Sequence, residues 1–158
     1  MQVKLLLDLM PTESTNANLI QYEDTINSVL QAIQTLNISQ LYSYLDNEKT
    51  YQDMDRNTFI EKLKKALSYL DTGIDNQIEI IDGSCGGDCL KSKIGKGYIL
   101  VGNKTRNFIN LMFIIDGNEI TDIRECTFFK AKKKNLELNQ QFYIDQERGK
   151  ILDLLKSI

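Results

Sequence analysis

Histidine and tryptophan are absent from this chain, proline occurs once and cysteine three times. Without an imidazole there is no histidine to act as the base for a cysteine nucleophile, which argues against a nucleophilic cysteine enzyme. The two-histidine motif of the zinc proteases is excluded. Three cysteines, an odd number, do not make a disulfide framework and fit a reducing compartment better. No stretch approaches the roughly 18 apolar residues that span a bilayer as a helix. The opening run Met1 to Pro11 is broken by Asp8 and has no small-residue cleavage site, so it falls short of an export signal. The expectation is a cytoplasmic protein with no membrane partner. A net charge of -3 also lacks the basic footprint of broad nucleic-acid binding. The short cluster Lys130, Lys132, Lys133 and Lys134 has no interleaved aromatic for bases to stack on and reads as a solvated linker. Gly95-Lys96-Gly97 and Gly102-Asn103-Lys104 do not meet the spacing of a phosphate-cradling loop and read as strand-end turns.

What is present is an ordinary globular composition, 42% hydrophobic and 26% charged over 158 residues, enough for one domain with a sizeable core. The expected domain spans 1–158, with its core at about 19–129 and a linker plus a C-terminal helix at 130–158. Tyr22, Ile26, Val29, Leu30, Ile33 and Leu36 recur at helical spacing, which predicts a first helix over 19–36. Ile38, Leu41, Tyr42 and Leu45 predict a short second one. The segment from Glu48 to Met54 reads as an edge strand or a loop. Asp55 to Thr58 supplies caps for a helix whose apolar stripe is Phe59, Ile60, Leu63, Ala66, Leu67 and Leu70, ending at Thr72-Gly73. Val3 to Met10 reads as a short strand or a helical lead-in.

Strand character begins at Ile78-Glu79-Ile80-Ile81 and resumes at Tyr98-Ile99-Leu100-Val101. Phe108 to Ile115 is apolar at almost every position, which predicts a central strand covered on both faces. Asp116-Gly117-Asn118 is a hairpin signal, and Ile120 to Phe129 is expected to return antiparallel. Ile144, Glu147, Ile151, Leu154, Leu155 and Ile158 are spaced for a last amphipathic helix. Helices followed by consecutive antiparallel strands make an α+β fold, with N-terminal helices packed on one face of a curved sheet.

This element order, together with Asp116-Gly117-Asn118-Glu119-Ile120-Thr121-Asp122-Ile123-Arg124-Glu125, resembles the nuclear transport factor 2-like superfamily, which includes ketosteroid isomerases and polyketide cyclases. The resemblance covers roughly residues 19 to 129. It implies a cone whose interior binds a small apolar ligand. Members with lyase or dehydratase activity place a histidine and an aspartate in the cone, and the histidine is missing here. The resemblance to ketosteroid isomerases leaves a carboxylate and a tyrosine as proton-handling groups, from Glu125, Glu79 or Asp122 with Tyr51 or Tyr98. Spacing selects no pair among them, and no catalytic residue is assigned.

Asn110 interrupts an apolar strand and must either face a polar cavity or bond internally. Strand alternation places it on one face with Phe108, Met112 and Ile114. In a nuclear transport factor 2-like cone one such face lines the pocket, so the resemblance makes Asn110, Met112, Tyr98 and Glu125 the candidate ligand-binding residues. Cys85 and Cys89 flank Gly86-Gly87-Asp88, and with Cys126 they form the candidate metal set, for which zinc is the fitting ion. The alternatives are a redox-active or regulatory pair, or a flexible loop with separate thiols. The leading reading is a non-catalytic binding module for a small-molecule ligand or a protein partner, with homodimerisation open. The competing one is an isomerase- or cyclase-like enzyme.

Overall fold

The computed structural model describes residues 23–70, 75–85, 94–126 and 129–158. The expectations for Val3 to Met10 and for a helix stop at Thr72-Gly73 lie outside these residues. Helix α1 covers 23–34 and turns Ile26, Val29, Leu30 and Ile33 inward, at exposures of 6% or less. It closes with Leu36 in the left-handed region at φ 57°, while Asn37 N donates to Ala32 O and Leu36 N to Ile33 O. That pairing satisfies two terminal carbonyls with leucine where glycine is usual. The expected second helix is a 3-10 turn, Ile38–Gln40, running into a single α turn, α2 at Leu41–Tyr44.

The ambiguous segment resolves into a miniature hairpin, β1 (Thr50–Tyr51) and β2 (Met54–Asp55), joined by Gln52 and Asp53. Asp55 then caps α3, Arg56–Ser68, by accepting from Thr58 N at 2.8 Å, as its sequence signal predicts. Phe59, Ile60, Leu63, Ala66 and Leu67 form the buried face of α3.

Five antiparallel strands follow: β3 (Ile78–Cys85), β4 (Ile94–Gly102), β5 (Phe108–Asp116), β6 (Glu119–Arg124) and β7 (Phe129–Ala131), in the order β6-β5-β4-β3-β7. Helix α4 covers Gln146–Lys156. Among the described residues, no helix is long and apolar enough to cross a membrane. The α+β architecture is as expected. One strand is not: Ile120 to Phe129 is two strands rather than one, with Phe129 and Lys130 paired to Cys85 and Ser84 at the far edge. Lys130 thus belongs to a strand, not to a linker.

Strand β5 explains the double coverage. Ile109, Leu111, Phe113 and Ile115 join Tyr51, Phe59, Leu63 and Leu100 in the core beneath the helices, while Asn110, Met112 and Ile114 are buried on the opposite face. The strand order also dictates curvature. β6 and β7 are opposite edges, four strand spacings apart, about 19 Å in a flat sheet. Yet the five Cα steps from Arg124 to Phe129 reach at most about 18 Å. The sheet is therefore curled, without closing, so that its edges approach each other across the face away from the helices.

On that face Phe129 lies over two glycines. A Cβ on Gly83 would sit 1.8 Å from the Phe129 ring, and one on Gly97 2.4 Å from it. Gly83→Ala is expected to expel the ring, to cost about 1–3 kcal/mol and to speed amide exchange in β7. Exchange in β4 and β5 should keep its protection. Unchanged exchange in β7 would show that the ring does not seat this strand.

Candidate functional site

The face of the sheet away from the helices gathers most of the candidate residues. Asn110, 5% exposed, donates from Nδ2 to the Cys126 carbonyl at 3.3 Å, which is the internal bond that a buried amide requires. Its Oδ1 is buried with no hydrogen-bond partner among the described residues. Cys126 is fully buried, and its Sγ lies 3.1 Å from Sγ of half-buried Cys85. Cys85, Met112, Tyr98, Gly83, Gly97 and Lys132 border an open groove of about 280 Å³. The Tyr98 ring itself meets Phe113 edge-on, with centroids 5.8 Å apart, against the helix-side core. Burial raises the Tyr98 phenol, with Lys96 opposing.

Of the candidate metal set, the structure brings Cys85 and Cys126 together, and Cys89 lies outside the described residues. Two thiolates on a tetrahedral zinc at about 2.3 Å stand roughly 3.8 Å apart, wider than the 3.1 Å seen here. Among the described residues, no group of three or more cysteines or carboxylates is placed to hold a metal ion.

Glu125 turns away from this groove. Its side chain, in a residue 3% exposed, accepts from Gln52 Nε2 at 2.9 Å, from Asp145 N at 3.2 Å and from Ile144 N. Gln52 Oε1 in turn accepts from Glu125 N at 2.8 Å, so the two residues clasp each other. Asp122 accepts from Gln52 N at 2.8 Å and from Arg124 Nε at 2.6 Å, and Arg124 reaches Asp53. This knot fixes the β1–β2 turn, whose two central residues both have positive φ, 51° at Gln52 and 63° at Asp53. A two-residue hairpin of this geometry favours Asn-Gly or Asp-Gly, so Gln-Asp gives no recognisable signal in sequence. Burial raises the Glu125 pKa, against the pull of Gln52 and the two backbone donors.

The carboxylates considered for proton transfer are thus occupied: Glu125 and Asp122 in the knot, and Glu79 with Arg106 at 3.1 Å. Tyr51 OH accepts from Asp46 N at 2.9 Å. None of these three carboxylates bonds Tyr51 or Tyr98 in these contacts; a hydrogen-bonded tyrosine–carboxylate pair that does border a common groove, of about 400 Å³, is that of Tyr42, whose OH donates to Glu61 Oε1 at 3.0 Å.

Helix α4 presents a different surface. Its first turn is capped by Asp145, which accepts from Arg148 N, and is seated on the body: Glu125 accepts from Asp145 N, Gln146 bonds Tyr69 OH, and Gly149 lies so close to Tyr143 that a Cβ would sit 2.4 Å from its ring. Beyond that turn, Ile151, Leu154 and Leu155 on the helix are 59%, 66% and 61% exposed, and Ile158, past the Ser157 cap, is 101% exposed. Their spacing made the helix legible in sequence, but spacing does not reveal whether a stripe is covered. Compared with protein-family models, with curated proteins and with solved structures, the chain matches none.

Proposed function

We propose that this protein is a non-catalytic binding module whose C-terminal helix docks into the apolar groove of a protein partner. The exposed stripe Ile151, Leu154 and Leu155, continued by Ile158 just past the Ser157 cap, carries this reading, because i, i+3, i+4 is the anchor spacing of a helix laid into a groove. An isolated helix of 11 residues is marginal in water, so an apolar face left in solvent gains most from being covered. Four aliphatic side chains offer on the order of 400 Å². Flat pairing with a second copy needs about 800 Å² per partner, whereas a groove adds the flanks of the helix to the contact. The polar side of α4 mixes Glu147, Lys150 and Asp153, unlike the basic face of a membrane-lying helix.

The element order and the curled sheet support a nuclear transport factor 2-like arrangement. In such a cone the helix-facing side of the sheet holds the ligand, and here Tyr51, Phe59, Leu100 and Phe113 fill it at 1% exposure or less. That favours a protein at the surface over a small apolar molecule inside.

A photo-crosslinking residue at Leu154, compared with one at Asp153, tests the proposal in cells. The expected result is one dominant adduct from Leu154. The partner so identified, once purified, should bind at least 100-fold more weakly to Leu154→Asp, a hot-spot loss of roughly 2.7 kcal/mol. Adducts to a second copy of this chain, to lipid, or equally from both positions would overturn it.

A further inference from the structure

We propose that Cys85 and Cys126 are a thiol modification site, closing to a reversible disulfide at the expense of a low-molecular-weight disulfide. The two sulfurs lie 3.1 Å apart, inside the roughly 3.5–4.0 Å at which non-bonded heavy atoms rest. They need about 1 Å of further approach to reach the bond length of about 2.05 Å. Cys85 ends β3 opposite Phe129, and Cys126 is held on the same face by the bond from Asn110 to its carbonyl. These anchors on both sides hold the contact within the sheet layer instead of leaving it to a loop encounter.

The two thiols differ in the way a two-step exchange requires. Cys85 is half-buried on the wall of the open groove, whereas Cys126 is 0% exposed. The Cys85 thiolate attacks one sulfur of the reagent disulfide, and a mixed disulfide forms as the first thiol leaves. The Cys126 thiolate then attacks the Cys85 sulfur, and the second thiol leaves. Two protein thiols are oxidised and one reagent disulfide is reduced to two thiols, which take up the two protons. The rate of the second step depends on access to the sulfur attacked, and here the attacking sulfur is already in contact with it.

The bridge joins residues 41 apart and ties the end of β3 to the segment that leaves β6. A closed loop of that length restricts the unfolded chain and is expected to raise the thermal midpoint by roughly 10 °C. The same segment carries Glu125, so oxidation also braces the knot that seats α4.

Glutathione disulfide is the probe, applied to the full chain and to Cys89→Ser, followed by alkylation and peptide mapping. In both proteins a peptide pair linking Cys85 to Cys126 should appear, with an intact mass lower by two hydrogens and full reversal by dithiothreitol. Cys85→Ser should leave Cys126 unmodified and its midpoint unmoved by glutathione disulfide. Glutathione retained on Cys85, a bridge from Cys85 to Cys89 in the full chain, or thiols unchanged after treatment would each overturn the proposal. So would a protein purified with zinc that is lost in Cys85→Ser.

Discussion

Glu125→Ala is expected to lower the stability of the fold by about 3–5 kcal/mol, because it strands three donors inside the protein. Ile144 N, Asp145 N and Gln52 Nε2 all point at this one carboxyl group. In a chain of 158 residues such a loss lowers the thermal midpoint by roughly 10 °C. The damage should be visible at two separate places, the β1–β2 turn and the first turn of α4, as increased amide exchange at Gln52 and Ile144. Glu125→Gln keeps one acceptor oxygen but turns an amino group toward other donors, so its loss should be smaller and not nil. The pH dependence has a definite sign. Burial raises the Glu125 pKa in the folded state, so its contribution is complete below the ordinary glutamate value and declines as pH rises through the raised one. The gap between the wild type and Glu125→Ala should therefore narrow as pH rises through that window. An unchanged midpoint in the alanine variant would mean that the knot does not hold the helix.

Asp75→Ala is expected to cost about 2–4 kcal/mol, with the opposite dependence on pH. Asp75 Oδ1 accepts from Lys104 N and Thr105 N, each at 2.7 Å, and Oδ2 accepts from the Thr105 hydroxyl. It thereby organises the turn between β4 and β5. Gly102 makes room for it, since a Cβ there would lie 2.2 Å from Asp75 Oδ2. Burial raises this carboxyl, but the Thr105 side chain and the two backbone donors outweigh it and hold the pKa below the ordinary 3.8. Its contribution is therefore present above the ordinary value and lost as pH falls through the lowered one. Urea titrations of wild type and Asp75→Ala should converge in that acid range. Asp55, the α3 cap, shifts in the same direction, so the variant should retain part of the acid slope. Parallel titrations down to the lowest pH would mean that folding leaves the Asp75 pKa unshifted.

The elements that read clearly in sequence are those whose burial follows a local period. The stripe of α3 and the Asp55 cap needed no knowledge of distant residues, and the apolar run of β5, broken only by Asn110 before its last residue, announced two covered faces. What was not legible depends on partners far apart in the chain. Gln52 and Glu125 are separated by 73 residues, and neither has a signal pointing to the other. Between Arg124 and Phe129 the sequence offers no glycine, proline, asparagine or aspartate, so nothing local marks the change of sheet edge between them. Asn110 was recognisable as an anomaly in its strand, but whether it faced a cavity or a carbonyl depended on where Cys126 lay. The same crossing brought Cys85 against Cys126, a contact that loop spacing between Cys85 and Cys89 did not anticipate.

The short connection from β6 to β7 acts as a bowstring on the sheet. A strand edge templates growth when it can lie flat and offer a straight ladder of unpaired amides and carbonyls to another chain. Here the two edges of the five-stranded sheet are drawn toward each other by a link too short to let them flatten. Resistance to edge-to-edge aggregation is thus set in part by the length of a connection, so lengthening it should loosen that protection without altering a single core residue.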